Sequence, residues 1–108
     1  MKQLVLSPDA VTDIAEIARY SKREWGEKQA RLYGTRLAER LIKLKTSARL
    51  GRLRLDIDPI VRSVKSGRHL IFFDVEPDRV VVLRILHESM DTSDRVQVAR
   101  SRIRSARR

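Results

Sequence analysis

The sequence contains no cysteine, only three prolines and four glycines, and aromatic residues make up 5% of its 108 positions. The absence of cysteine excludes disulfide bonds, thiolate metal sites and cysteine nucleophiles, and it is compatible with a reducing compartment. No run of about 18 apolar residues occurs, so no segment is predicted to span a membrane. The apolar stretch at the N-terminus is too short for a signal peptide, so we expect a cytoplasmic protein.

Positive charge dominates the residues that are present. Lysine and arginine total 24 against 14 acidic residues, which gives a formal net charge of +10. Such an excess favours acidic partners, namely nucleic acid, an enzyme bound to nucleic acid, or an acidic protein. With 42% hydrophobic residues, a chain of this length is expected to form one domain around one hydrophobic core.

Half of the net charge lies in residues 92–108, which contain six arginines and one acid. This segment is either a solvated tail that aids solubility or a basic surface for an acidic partner. The arginines considered for such contacts are Arg95, Arg100, Arg102 and Arg104. Apolar residues at helical spacing within the segment also allow a short helix.

Two amphipathic helices are predicted after a short strand at 3–6. Ser7 can cap the first helix and Pro8 suits its first turn. Gly26 is expected to end this helix, and the second helix is predicted at 27–45. The short link predicts an antiparallel helical hairpin, in which Trp25 and Tyr33 are interpreted as packing residues rather than functional ones.

Branched and aromatic residues after position 59 predict three antiparallel strands at 60–65, 68–75 and 80–86. The fold class is therefore α+β. It consists of a short N-terminal strand, an antiparallel helical hairpin packed on one face of an antiparallel sheet, and a basic C-terminal tail.

Assumed turns at Ser66–Gly67 and at 76–79 predict which side chains share a face of the sheet. One face is then mixed in character and carries Arg62, His69, Ile71, Phe73, Val82, Arg84 and Leu86. The other face is apolar, with Leu70, Phe72, Val81, Leu83 and Ile85, and is expected to lie under the helical hairpin. The mixed face is either covered by the C-terminal segment or free to meet a partner.

Several short motifs occur in a consistent order along the chain. They are Leu6-Ser7-Pro8, Trp25-Gly26, Leu50-Gly51-Arg52, Gly67-Arg68-His69 and Arg84-Ile85-Leu86-His87 followed by Met90-Asp91. Together they resemble the ParE branch of the ParE/RelE toxin superfamily over roughly residues 3–95. We therefore take residues 1–91 as a ParE/RelE-like toxin domain and 92–108 as its basic C-terminal tail.

The resemblance implies the toxin of a type II toxin–antitoxin system, neutralised by a ParD-like antitoxin. ParE-like toxins are associated with poisoning DNA gyrase, here expected to occur by binding, without catalytic residues and with indirect contact to DNA. The residues expected to contact the target or the antitoxin are Arg62, Arg68, His69, Ile71, Phe73, Arg84, Leu86, His87 and Met90.

The resemblance also leaves a RelE-like, ribosome-dependent messenger RNA endonuclease open. Cleavage of RNA requires cations for the phosphate and a group that moves protons. Arg62 and Arg84 supply the cations, but no tyrosine follows Tyr33, so His69 and His87 are the remaining proton carriers. Both histidines alternatively make structural hydrogen bonds at strand ends, and the assumed register places His87 on the opposite face.

A non-toxic nucleic-acid-binding module is the third function considered, favoured by the charge but not by the few aromatic residues. No cofactor is expected. No metal site is expected either, because two histidines without cysteine lack the spacing of metal ligands. The neighbouring His87, Glu88 and Asp91 are typical of a turn that follows a strand.

Overall fold

A five-stranded sheet forms the centre of the structure, a computed structural model that describes residues 1–106. The elements are β1 (Gln3–Leu6), α1 (Pro8–Trp25), α2 (Glu27–Ser47), a 3-10 turn (Ala48–Leu50), β2 (Arg52–Leu53), β3 (Arg62–Ser66), β4 (His69–Val75), β5 (Arg79–His87) and α3 (Ser93–Ala106). The strand order is β1-β5-β4-β3-β2. Within residues 1–106, no helix is both long enough and apolar enough to cross a membrane.

The helical hairpin forms where the sequence predicts it. The Ser7 hydroxyl oxygen accepts a hydrogen bond from the Ala10 amide (2.9 Å) and donates one to the Leu83 carbonyl (2.7 Å). Ser7 therefore caps α1 and also fastens its start to β5. Gly26, with φ of +85°, separates the two helices. The predicted α+β fold class is confirmed, with the addition that β1 pairs in parallel with β5.

The turn between β3 and β4 consists of Gly67 and Arg68, because Ser66 pairs with His69. The predicted Ser66–Gly67 turn is therefore wrong by one residue. Gly67 has φ of +57°, whereas Arg68, like every non-glycine residue that the structure describes, has negative φ. Positive φ at the first central position alone is typical of a type II′ turn. The pairing moves by two residues, so Arg62 lies opposite Phe73 instead of Ile71.

A bulge in β5 changes the predicted faces more severely. The pairing follows the prediction from Val75↔Val80 as far as Phe73↔Val82, and then Phe72 pairs with Arg84. The extra residue on β5 reverses the side to which each following side chain points. As a result, the predicted partners of Arg84 and Leu86 are wrong, and His87 lies directly opposite His69.

Both faces of the sheet are covered, and the hairpin covers the face that was predicted to be mixed. Buried residues of α1 and α2 pack there on Ile71, Phe73, Val80, Val82 and Ile85. The opposite face packs against α3 and the segment before β3, in a cluster of Ile57, Val61, Phe72, Val81, Leu83, Leu86 and Val96. The C-terminal segment therefore folds onto the sheet through α3, while Arg107 and Arg108 lie outside the described residues.

Candidate functional site

A surface cleft of about 420 Å³ lies where α1 meets the end of β5 and the start of α3. Its lining residues are Asp13, Glu16, Ile17, Tyr20, His69, Arg84, Ile85, Leu86, His87, Ser89, Met90 and Arg95. Several residues that the sequence singled out as contact residues therefore meet at one place. The cleft is the candidate functional site.

His69 is fixed by a tyrosine from α2. The Tyr33 hydroxyl lies 2.5 Å from His69 Nδ1 and accepts a hydrogen bond from the Arg68 amide. The same hydroxyl also donates a hydrogen bond to the Ser66 carbonyl oxygen at 3.2 Å, so Tyr33 ties α2 to both ends of the β3–β4 turn. Burial, and secondly the nearby charge of His87, lowers the pKa of His69 below its usual 6.5. His69 is therefore neutral at pH 7.

His87 stands edge-on to His69, with ring centroids 5.4 Å apart and planes at 87°. Its Nδ1 accepts a hydrogen bond from the Ser89 amide at 3.1 Å and lies 2.7 Å from the Ser89 hydroxyl. An acceptor at Nδ1 places the His87 proton on Nε2 in the neutral ring. Both histidines thus use Nδ1 for structural hydrogen bonds at strand ends.

Arg84 does not present a free guanidinium, contrary to the expectation that it would bind an acidic partner. Its Nη2 and Nε donate to the two carboxylate oxygens of Asp13 at 2.7 and 2.8 Å. Asp13 is 5% exposed and also accepts from the Ile85 amide. The hydrogen bond to Asp13 raises the pKa of Arg84, so Arg84 stays charged, and the bidentate contact ties α1 to the β5 bulge.

Other predicted contact residues have structural partners as well. Arg62 donates through Nη1 to the carbonyl oxygens of Gly51 (2.8 Å) and Arg49 (3.1 Å), which fixes the segment before β2. Arg68 pairs with Glu88 at 3.4 Å but its side chain stays 73% exposed. Arg68 is therefore the member of this group that remains accessible to a partner.

Three apolar residues predicted to contact a partner lie in the core. Ile71 and Phe73 are 0% exposed beneath the helical hairpin, and Leu86 is 3% exposed. Their predicted placement on a partner-facing surface is wrong for two reasons. The helical hairpin packs on the face of β4 that carries Ile71 and Phe73, and the bulge turns Leu86 to the opposite face, which is also covered. Met90, by contrast, is exposed at the cleft.

The arginines predicted to form a basic surface on the tail have different environments. Arg100 is 7% exposed, and it donates to Asp74 at 2.8 Å and Asp58 at 2.7 Å, so it anchors α3 instead of meeting a partner. Arg102 is exposed and pairs with Asp9 at 2.9 Å. Arg95 is exposed at the cleft and Arg104 is exposed further along α3.

Sequence reasoning missed the roles of Asp13 and Tyr33. Asp13 lies at helical spacing from Ala10 and Ile17 on the buried side of α1, and a carboxylate among buried apolar positions is itself a sign of a partner. Tyr33 was assigned to packing, and it does pack, but its hydroxyl also forms a hydrogen bond with His69 Nδ1. Within residues 1–106 no group of three or more metal-ligating side chains lies together.

The model of a protein family described as "ParE toxin of type II toxin-antitoxin system, parDE" matches residues 4–92. This chain belongs to the ParE toxin family. The match includes most of the cleft and ends just before α3, which begins at Ser93.

The chain aligns with named ParE toxins over more than four fifths of its length. It is 29% identical over 97 residues to "Toxin ParE" of Escherichia coli, with 89% of this chain and 94% of the relative aligned. It is 32% identical over 91 residues to "Toxin ParE1" of Caulobacter vibrioides, covering 84% and 94%. It is also 32% identical over 88 residues to "Toxin ParE1" of Mycobacterium tuberculosis, covering 81% and 90%.

A solved structure shares the fold. The structure titled "Chromosomal ParDE TA system from P. aeruginosa" superposes with a TM-score of 0.71. It is 22% identical in sequence and covers 81% of this chain and 96% of that one. The two chains therefore share the same overall fold.

Proposed function

We propose that this ParE-family chain poisons DNA gyrase by binding it, and that a ParD-like antitoxin neutralises it. The family membership supports the toxin role, and the structure supports action by binding. The observation that carries the binding mode is that Arg84 and the Nδ1 atoms of both histidines already have partners within the protein, which leaves each histidine only its Nε2. Arg84 is held by Asp13, His69 by Tyr33 and His87 by Ser89.

The exposed residues around the cleft are the proposed contacts. Arg68 and Arg95 offer guanidinium groups to acidic side chains of the antitoxin or to phosphates of gyrase-bound DNA. Met90 offers an adaptable apolar contact beside them. Charge reversal at Arg68 and Arg95 tests this placement without breaking the fold, whereas Arg84→Glu would also disrupt the ion pair with Asp13.

The ribonuclease alternative has one observation in its favour. His69 and His87 are cross-strand neighbours, and Arg95 lines the same cleft. A neutral imidazole next to a cation is an arrangement that can serve RNA cleavage. If this alternative holds, replacing both histidines with glutamine abolishes toxicity.

Brief induction of the protein in a bacterial host tests both functions in one culture. Our proposal predicts gyrase-linked double-strand breaks, intact messages, and protection when a ParD-like antitoxin is co-expressed. The His69→Gln/His87→Gln variant is expected to keep its toxicity. Messages cut within codons while the chromosome stays intact would overturn the proposal and favour the ribonuclease.

A further inference from the structure

One flank of α2 carries cations that the cleft does not use. The helix has six lysine and arginine residues against Glu27 and Glu39. Arg36, Arg40 and Lys43 recur at intervals of four and three residues, so they lie on one side of the helix in a row about 10 Å long. All three are exposed.

One acid, Glu39, lies within this row, three residues after Arg36 and four before Lys43, so the row keeps a net charge of +2. Within residues 1–106, neither Arg36 nor Lys43 forms an ion pair, and Arg40 uses only Nε, which donates to the Lys65 carbonyl at 3.2 Å. The guanidinium groups and the ammonium group are therefore available to an external anion.

An exposed aromatic ring lies at the end of this row. Trp25 closes the helical hairpin but is 47% exposed, and with Arg36 it lines a shallow hollow. Tyr33 and Tyr20 pack on it with ring centroids 5.7 and 6.0 Å away. The indole is therefore held by its neighbours while about half of its surface faces solvent.

We propose that Trp25, Arg36, Arg40 and Lys43 form a binding surface for single-stranded nucleic acid. A base stacks on the exposed part of the indole, and the phosphates that follow it lie along the three cations. Rows of cations beside exposed aromatic rings are how proteins bind single strands without reading their sequence. A duplex keeps its bases stacked internally, and an acidic peptide would leave the indole without a stacking partner.

This surface is separate from the cleft and does not depend on gyrase or on an antitoxin. It can therefore fail while the proposed toxin function stands, and the reverse also holds. Trp25 is the only tryptophan of the chain, so its fluorescence reports on this surface. Because Tyr20 of the cleft packs on the indole, the cation variants described below are needed to separate binding here from binding in the cleft.

The test is a fluorescence titration of the purified full chain with an oligodeoxythymidylate of about 12 nucleotides, a length within known single-strand site sizes. We expect quenching of Trp25 and an affinity that falls with salt, with a logarithmic slope of about −2 for three neutralised phosphates. A uridylate of the same length shows whether RNA or DNA binds more tightly, and either preference supports the proposal. A duplex or a polyglutamate peptide that quenches equally well would overturn it.

Two variants with the same net charge separate the site from the overall charge. Arg36→Gln/Arg40→Gln/Lys43→Gln is expected to abolish the salt-dependent binding. The control, Arg49→Gln/Arg52→Gln/Arg104→Gln, removes three exposed cations elsewhere and is expected to bind like the parent. Equal loss in both variants would show that binding follows net charge alone and would overturn the proposal.

The stacking contact has its own variant. Trp25→Leu is expected to weaken binding about tenfold without changing the salt slope, measured by the anisotropy of a labelled oligonucleotide. An unchanged affinity would refute the role of the indole. Circular dichroism and the midpoint of thermal unfolding verify that each variant is folded.

Discussion

Replacing Asp13 with alanine is the most informative perturbation of the site's framework. Asp13 is 5% exposed and accepts three hydrogen bonds, from Arg84 Nη2 (2.7 Å), Arg84 Nε (2.8 Å) and the Ile85 amide (2.9 Å). The substitution leaves the Arg84 guanidinium and the Ile85 amide without their acceptor. It therefore tests whether the Asp13–Arg84 pair holds α1 against the β5 bulge.

The expected loss in the free energy of unfolding follows from the burial of the two side chains. Removing one member of a buried ion pair costs about 3–5 kcal/mol. Arg84 keeps 19% of its side chain exposed, so water partly replaces Asp13 and we expect a loss of about 3 kcal/mol. An unfolding entropy of about 2.1 cal/mol/K per residue over 108 residues converts this loss into a fall of about 13 °C in the unfolding midpoint.

Urea denaturation and calorimetry measure this loss, and a double-mutant cycle assigns it. Asp13→Ala/Arg84→Met is expected to be less destabilised than the sum of its single variants by at least about 1.5 kcal/mol, because the two side chains act as one unit. Glu24→Ala, which removes an exposed acid at the other end of the same helix, is the control and should change stability by no more than about 0.5 kcal/mol. A loss below about 1 kcal/mol for Asp13→Ala, or additive single variants, would refute the reasoning.

Three further predictions concern neighbouring elements. Burial lowers the pKa of His69, so below about pH 6.5 the unfolded chain binds a proton more readily than the folded chain does. The free energy of unfolding, measured in urea, should therefore decrease as the pH is lowered below about 6.5. His69→Gln should make this decrease smaller. Gly67→Ala places a Cβ 2.5 Å from Tyr33 at positive φ and should cost about 1–3 kcal/mol in urea denaturation, whereas Gly34→Ala, which meets nothing within 4 Å, should be neutral or stabilising. Arg100→Met strands Asp74 and should speed amide exchange in α3; unchanged exchange would contradict the anchoring role.

Local signals predicted the helical hairpin correctly. The capping sequence around Ser7 and the glycine at position 26 act within a few residues of the chain, and the structure uses both as expected. The alternation and turn residues after position 59 likewise predicted three strands, with small differences at their ends.

The faces of the sheet were not predictable from local signals. The β5 bulge coincides with hydrogen bonds from Arg84 and the Ile85 amide to Asp13, a residue about 70 positions earlier in the chain. A pairing rule based on loop length has no access to such a distant contact. The parallel pairing of β1 with β5 is non-local in the same way.

The candidate site was predicted in part for the same reason. His69, His87 and Met90 meet at the cleft, since they lie close together at the ends of two paired strands. Arg84 and Arg100 were taken for free cations because their acidic partners lie far away in the sequence. Whether an arginine is exposed or paired could therefore be decided only from the tertiary structure.

The central claim is that this chain acts on gyrase by binding. The most direct test incubates the purified protein with purified gyrase, ATP and supercoiled plasmid, followed by detergent and protease to release broken DNA. We predict linear plasmid that depends on both proteins, persists with the His69→Gln/His87→Gln variant, and disappears when a ParD-like antitoxin is added. Unbroken plasmid at every toxin concentration, together with cleavage of messenger RNA on purified ribosomes by the same preparation, would contradict the account.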